Sequence, residues 1–313
     1  MKKEYCFGID VGGTTVKCGL FNTEGHCLDK WEIVTRKEDH GKNILPDIAK
    51  TILAKMAEKD IAKEQVAGIG MGIPGPVTEE GTVEVAVNLH WGYVEIVAEM
   101  EEMTGLPVMA GNDANVAALG EAWKGGGEGH SNLLMITLGT GVGGGVVING
   151  RIVPGAHGAA GEIGHAHVRD GYGIRCNCGN YGCLEQFCSA TGISRMAERI
   201  LLITDDPSVL RDKGSRPSAR EIFDAVKKND PIAVRIATEF GEILGKTLAT
   251  ISCVVDPEII VIGGGVSKAG PVLIDYIQES FNENAFPSLR KTQFALAKLG
   301  NDAGIYGAAK MVL

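Results

Sequence analysis

Cys176, Cys178 and Cys183 fall within one Gly/Asn-rich segment, Cys-Asn-Cys-Gly-Asn-Tyr-Gly-Cys. The glycines permit the bends that bring three thiolates around one ion. A closed tetrahedral site needs a fourth ligand, and His165 lies 11 residues before Cys176. Cys3His suits a structural Zn2+. The competing reading is three free thiols, with His167 or neither histidine engaged. In a reducing compartment the spacing favours metal.

A second set of residues suits phosphate. Gly12-Gly13-Thr14-Thr15, between Asp10 and Lys17, and Gly139-Thr140-Gly141 each follow an apolar, strand-like run. A third cluster, Gly263-Gly264-Gly265, follows the apolar run 258–262. Glycines let backbone N–H groups converge on phosphate oxygens, and threonine hydroxyls add donors. Asp10 at a strand end would set a carboxylate near a phosphate-bound Mg2+. One such turn could be an ordinary hairpin; two turns and a third glycine cluster favour nucleotide binding. Gly245-Lys246-Thr247 is not a Walker A loop, because Phe240 stands where its first glycine would be. Gly70-x-Gly72-x-x-Gly75 spells a dinucleotide fingerprint, but Pro74 and Pro76 fall where that motif needs a helix to begin and run on.

The carboxylates come third. Asn112-Asp113-Ala114-Asn115 lies between a strand-like and a helix-like run. Asn112 or Asp113 could simply cap that helix, or Asp113 could serve as a general base; the spelling leaves both open. Glu162 and His165 are three apart, on one side of a turn, and Glu185 follows Cys183 by two. If a metal holds Cys183 and His165 together, Glu162, His165 and Glu185 converge, which suits a polyhydroxylated ligand. The alternative is a set of solvated surface carboxylates.

The elements that must carry these residues alternate. Strands are predicted at 5–9, 16–21, 27–34, 66–71, 108–110, 133–138, 146–148 and 258–262. Helices are predicted at 43–59, with Ile44, Ile48, Ile52 and Met56 on one face, and at 94–103, 114–123, about 230–253 and 302–311. The glycine-rich stretch 124–130 reads as a hinge or linker. A strand, a Gly/Thr turn and a strand occur twice, near 12 and 141, as in a duplicated α/β architecture.

The chain has 313 residues, 44 of them glycine, and a formal net charge of −9. That length suits about two domains. The acidic balance disfavours nucleic acid or an anionic membrane as partner. No run approaches the ~18 apolar residues of a membrane span, and the N-terminal apolar stretch is too short for a signal-peptide core. A cytoplasmic, reducing location is expected, so the eight cysteines read as thiols or metal ligands.

These motifs together resemble the ROK family of bacterial sugar kinases, nearly end to end. Asp10-Val-Gly-Gly-Thr-Thr-Val-Lys17 resembles its first phosphate motif and Leu138–Gly145 its second. The segments 72–76 and 88–91 resemble its sugar-side loops, 112–115 the segment with the catalytic Asp, 263–267 the adenosine-side loop. Gly161–His165 with Cys176–Glu185 resembles its zinc and sugar signature. His90 departs from the glycine expected in many relatives.

The resemblance implies a two-lobed actin-like ATPase (ribonuclease H-like) α/β fold around a cleft. Residues 1–120 and 300–313 would form a small lobe, and 121–299 a large lobe carrying the zinc loop. It implies ATP-dependent phosphorylation of D-glucose at the 6-hydroxyl, with Asp113 as general base. Gly75, Asn112, Asp113, Glu162, His165 and Glu185 would hold the sugar. Asp10, Gly12, Gly13, Thr14, Thr15, Lys17, Gly139, Thr140, Gly141, Gly264 and Gly265 would hold ATP with Mg2+, and His165, Cys176, Cys178 and Cys183 a structural Zn2+. A homo-oligomer, a dimer, is expected. An N-acetylhexosamine or fructose kinase of the same family is the alternative. A sugar-responsive repressor fits less well, because only nine residues precede Asp10, too few for a helix-turn-helix module.

Overall fold

The computed structural model describes residues 3–170, 173–211 and 216–313. The chain forms two compact units: Met1–Ser131 with Gly145–Gly161 and Lys298–Leu313, and Asn132–Gly144 with Glu162–Ala297. Relative to the lobes expected from sequence, residues 121–131, 145–161 and 298–299 join the first unit.

The first unit is built on strands β1 (Tyr5–Val11), β2 (Thr15–Asn22), β3 (Cys27–Val34), β4 (Val66–Ile73) and β7 (Val108–Asn112), in the order β3-β2-β1-β4-β7. β5 (Thr82–Val83) and β6 (Val94–Glu95) form a separate antiparallel pair. β1 to β3 run antiparallel; β4 and β7 are parallel to β1. β1 and β4 are almost wholly buried, as strands covered on both faces must be. β3, at the edge, alternates partly buried and exposed positions.

Helix α1 (Ile44–Glu58) covers one face, and its predicted stripe Ile44, Ile48, Ile52 and Met56 is buried with Phe7, Ile9, Ile69 and Met71. α2 (Ile96–Thr104) follows β6, so the helix predicted from 94 begins two residues later, after a short strand. α3 (Asp113–Lys124) and the last helix, α9 (Ala303–Met311), cover the other face. A Cβ at Gly8 would collide with the Ile305 carbonyl, and one at Gly70 with the Ala308 carbonyl. The backbone of α9 therefore rests directly on β1 and β4.

The second unit has a parallel core of β8 (Leu133–Leu138), β11 (Ile259–Gly263) and β12 (Gln293–Leu296). β9 (Val142–Ile148) follows the Gly139–Gly141 turn and ends in the first unit, where it pairs with β10 (Arg151–Ile152). It begins four residues earlier than the sequence predicts. α4 (Glu185–Cys188), α5 (Ala190–Ile203), α6 (Ala219–Val226), α7 (Pro231–Val255) and α8 (Pro271–Asn284) complete the unit; α5, α6 and α8 were not among the predicted helices. α7 starts as its sequence dictates. Asp230 accepts the Ala233 N–H at 3.0 Å and Pro231 occupies the first helical position. Among the described residues no helix is long and apolar enough to cross a membrane.

Candidate phosphate, sugar and zinc sites

In the first unit, β1 and β2 place Asp10 directly opposite Lys17. The Gly12 N–H donates to Thr15 O at 3.0 Å and closes the turn between them. A residue not singled out in the sequence then fixes it. Thr35, 5% exposed at the end of β3, donates its N–H to Thr14 O at 2.9 Å and its hydroxyl to Gly12 O at 2.6 Å. A threonine at a strand end is so common that no local signal marks it.

Gly13 packs against Asn88, whose carbonyl would lie 3.5 Å from a Cβ there. The segment 88–91 is held in turn by Trp91, whose indole donates to Gly41 O at 3.1 Å. His90 sits in the left-handed region (φ 61°, ψ 24°), where glycine is unstrained. Lys17 Nζ donates to Asn301 O at 2.9 Å. Burial raises the Asp10 carboxyl above its ordinary value, with Lys17 opposing.

At the start of α3, Asn112 is the cap. Its Oδ1 accepts from Ala114 N at 3.0 Å and Asn115 N at 3.2 Å, and its Nδ2 donates to Gly75 O at 3.1 Å. Gly75 has φ 123°, a conformation that side chains rarely adopt. Asp113 is the first residue of the helix proper, its Oδ1 accepting from Ala114 N at 2.8 Å. Of the two open readings of this tetrapeptide, capping falls to Asn112, and Asp113 stands at the positive end of the helix dipole.

In the second unit, the turn after β8 is closed by Gly139 N–H donating to Gly141 O at 2.9 Å. The start of α5 supports it. Ala190 N–H donates to Gly139 O at 2.8 Å, and Thr191 Oγ1 to Thr140 O at 3.3 Å. Glu185 Oε2 accepts the Val142 N–H at 3.1 Å. Gly264 (φ 83°) lies against Leu138, and Gly265 is open on its side-chain side.

Glu162 precedes a single 3-10 turn, Ile163–His165. A Cβ at Gly164 would collide with Val142 O, so this turn lies on the start of β9. The ligand atoms of His165, Cys176, Cys178 and Cys183 all lie within 4.8 Å of one another. Cys176 Sγ is 3.5 Å from His165 Nδ1, and Cys178 Sγ 3.6 Å from Cys183 Sγ. Sulfurs at ~2.3 Å on a tetrahedral zinc sit about 3.8 Å apart, so the four side chains fit the ion.

His167 is elsewhere engaged: Nδ1 is 3.1 Å from Tyr181 O and Nε2 3.3 Å from Asp170. The Asn180 N–H holds the Cys178 thiol below its ordinary value, and burial pushes Cys183 up. The remaining carboxylates gather here. His165 Nε2 is 3.9 Å from Glu162 Oε2, and Cys176 Sγ 3.8 Å from Glu185 Oε1.

The ROK family model matches residues 6–313. The chain belongs to the ROK family. A glucokinase of Halalkalibacterium halodurans is 42% identical over 316 residues, covering 100% of this chain and 96% of that one. A ROK glucokinase of Streptomyces griseus, solved in complex with glucose and AMPPNP, matches with TM-score 0.70 and 34% identity over 98% of both chains. An N-acetylgalactosamine kinase of Shewanella sp. strain ANA-3 is 31% identical over 314 residues, 97% of this chain and 95% of that one. The α/β fold of this ROK protein is thus the actin-like ATPase fold of the family's sugar kinases.

Proposed function

We propose that this ROK protein transfers the γ-phosphoryl group of ATP to the 6-hydroxyl of D-glucose. The observation that carries the reading is its full-length similarity, at 42% identity, to a glucokinase. Every motif quoted from the sequence lies within the matched residues.

In this reading Asp113 accepts the proton of the 6-hydroxyl as that oxygen attacks the γ-phosphorus. Gly75, Asn112, Glu162, His165 and Glu185 bind the sugar hydroxyls. The N–H groups and hydroxyls of Gly12, Gly13, Thr14, Thr15, Gly139, Thr140 and Gly141 surround the phosphates, with Lys17 nearby, and Gly264 and Gly265 flank the adenosine. Asp10 would hold Mg2+, a cation that favours its ionised form and offsets the burial acting on it. His165, Cys176, Cys178 and Cys183 would hold Zn2+, which when bound supplies a fixed centre that locks the loop and the imidazole. His165 Nδ1 lies 3.5 Å from Cys176 Sγ, and in this reading Nε2, beside Glu162, meets a sugar hydroxyl. A cytoplasmic location and a homo-oligomer, a dimer, belong to the same reading.

Glucose is read as preferred over its C2 epimer. Glu162 and the fixed His165 form a tightly spaced pair, and an axial hydroxyl would leave one of them unpaired, at about 1–3 kcal/mol. The similarity to an N-acetylgalactosamine kinase supports the second reading, an N-acetylhexosamine kinase. The test is kcat/KM with ATP for glucose, mannose, N-acetylglucosamine, N-acetylgalactosamine and fructose. Highest efficiency with glucose is expected. A better rival overturns the sugar but keeps the phosphotransferase; no turnover of any sugar overturns both.

A further inference from the structure

Glu121 is a carboxylate in the wrong kind of place. It is 0% exposed, on the helix that starts with Asp113, and no step of the reaction needs it. Its Oε2 accepts the N–H of Gly126 at 2.7 Å and of Lys298 at 3.0 Å, and its Oε1 accepts the N–H of Leu299 at 2.8 Å. Its own carbonyl accepts from Gly125 and Gly127 at 3.1 and 2.9 Å. All of its donors are main-chain groups. An apolar residue here would leave three part-buried N–H groups without this acceptor, so the position suits an acceptor with two oxygens.

The anchored segments are not arbitrary. The chain crosses between the two units four times, first at Ser131/Asn132 and last at Ala297/Lys298. Gly126 lies shortly before the first crossing, and Lys298 and Leu299 immediately follow the last. The glycine run 124–130, read from sequence as a hinge, has a structural reason at its start. A Cβ at Gly125 would collide with the Glu121 carboxylate, so glycine is needed for the side chain to fold back over the end of α3. Asp113 is eight residues away on the same helix, about 12 Å along its axis.

We propose that Glu121 is a positioning residue for phosphoryl transfer, its buried carboxylate tying the chain beside the first and last of four crossings to the helix that carries Asp113 and so setting where the chain bends there when substrates bind. The inference rests on the kinase reading for its kinetic consequence. Hinges of this kind act through a few loop positions that absorb the dihedral change, and Glu121 fixes the rigid end from which that change starts. A 1 Å misplacement of the reacting group costs up to about 100-fold, so an anchor remote from the chemistry can govern kcat.

The experiment compares wild type with Glu121→Gln, nearly the same size, and with Glu121→Asp, which keeps the charge but is too short to reach all three N–H groups. Two readings are taken: kcat and KM for glucose, and hydrogen–deuterium exchange of peptides spanning 124–131 and 296–302 with and without Mg2+ and AMPPNP. In wild type the ligand is expected to change exchange in both peptides together. In Glu121→Gln that joint change should be lost and kcat should fall about 10- to 100-fold with glucose KM within about threefold. A folded Glu121→Gln with wild-type kcat and the wild-type exchange response overturns the proposal, as does a wild type whose two peptides do not respond. Should Glu121→Gln fail to fold, Glu121→Asp is judged by the same criteria. Failure of the wild-type protein to phosphorylate any sugar would sink the kinase reading alone, because the exchange arm needs only the nucleotide.

Discussion

Glu185 and Val142 are joined by a hydrogen bond of 3.1 Å, the carboxylate Oε2 accepting the N–H of the residue that follows the second glycine-threonine turn. A side chain two residues beyond Cys183 thus holds the Gly139–Gly141 turn. Substitution of Gly141 tests that link, since a Cβ there would collide with Glu185 Oε2. Gly141→Ala should displace the carboxylate and raise KM for both ATP and glucose, each by about tenfold for one charge-assisted bond of ~1.5 kcal/mol. A rise confined to ATP would mean that Glu185 serves the turn and not the sugar.

Asp113 follows the cap and is not itself the cap. Asp113→Asn should therefore leave the thermal midpoint nearly unchanged while kcat falls by at least about 10²–10⁴-fold, the usual contribution of a general base. Glucose affinity, read by calorimetry, should persist. Near-normal turnover in the folded variant would remove Asp113 from the chemistry.

The cluster of His165, Cys176, Cys178 and Cys183 makes a separate, purely analytical prediction. Elemental analysis of purified protein should find about one zinc per chain for a single Cys3His site. Cys176→Ala should lose it together with stability and glucose affinity, because the loop carrying Glu185 is no longer tied to His165. Acidification should release the ion as thiolates take up protons. A zinc-free preparation of full activity would contradict the assignment.

Which parts of this molecule could be read before folding depends on how local their cause is. The stripe Ile44, Ile48, Ile52, Met56 announced α1 because one helix face alone decides it, and the Cys/His spacing announced that His165, Cys176, Cys178 and Cys183 would gather. β9 was mostly hidden, read from 146 when it starts at Val142. Its Gly143, Gly144 and Gly145 look like a turn, yet a Cβ at Gly145 would lie 2.6 Å from the Ala118 Cβ and 2.9 Å from Ala114 O. Gly145 answers to helix α3, which a local reading of the glycine run does not include. Thr35 and Glu121 were illegible for the same reason: each acts on main-chain atoms that only the tertiary fold brings to it.

Thr35 offers a clean test of such indirect action. Thr35→Val keeps the shape and the N–H bond to Thr14 O but deletes the hydroxyl that reaches Gly12 O. It should cost about 1–3 kcal/mol through the unmet carbonyl and raise KM for ATP more than KM for glucose. Thr35→Ser restores the donor and should recover most of the nucleotide affinity. Equal KM values in wild type and Thr35→Val would mean that the first turn holds its shape unaided.

Asp10 gives a prediction whose sign depends on pH. Burial raises its carboxyl in the ligand-free fold, with Lys17 opposing, so the folded chain holds the proton more tightly than the unfolded chain does. The associated stability is fully present below the unfolded value of about 3.9 and is lost as pH rises through the folded value. At neutral pH an ionised Asp10 therefore burdens the ligand-free protein. Asp10→Asn removes that burden, and its thermal midpoint should exceed wild type at pH 7, the difference closing below about pH 4. Function should move the other way. Without a carboxylate for Mg2+, turnover should fall at least about 100-fold, and Mg2+ with AMPPNP should stabilise wild type but scarcely the variant. Thermal unfolding at two pH values, with and without that ligand, measures all of this. A lower midpoint for Asp10→Asn at pH 7 would show that Lys17 outweighs burial, and that Asp10 holds the fold together instead of straining it for the cation.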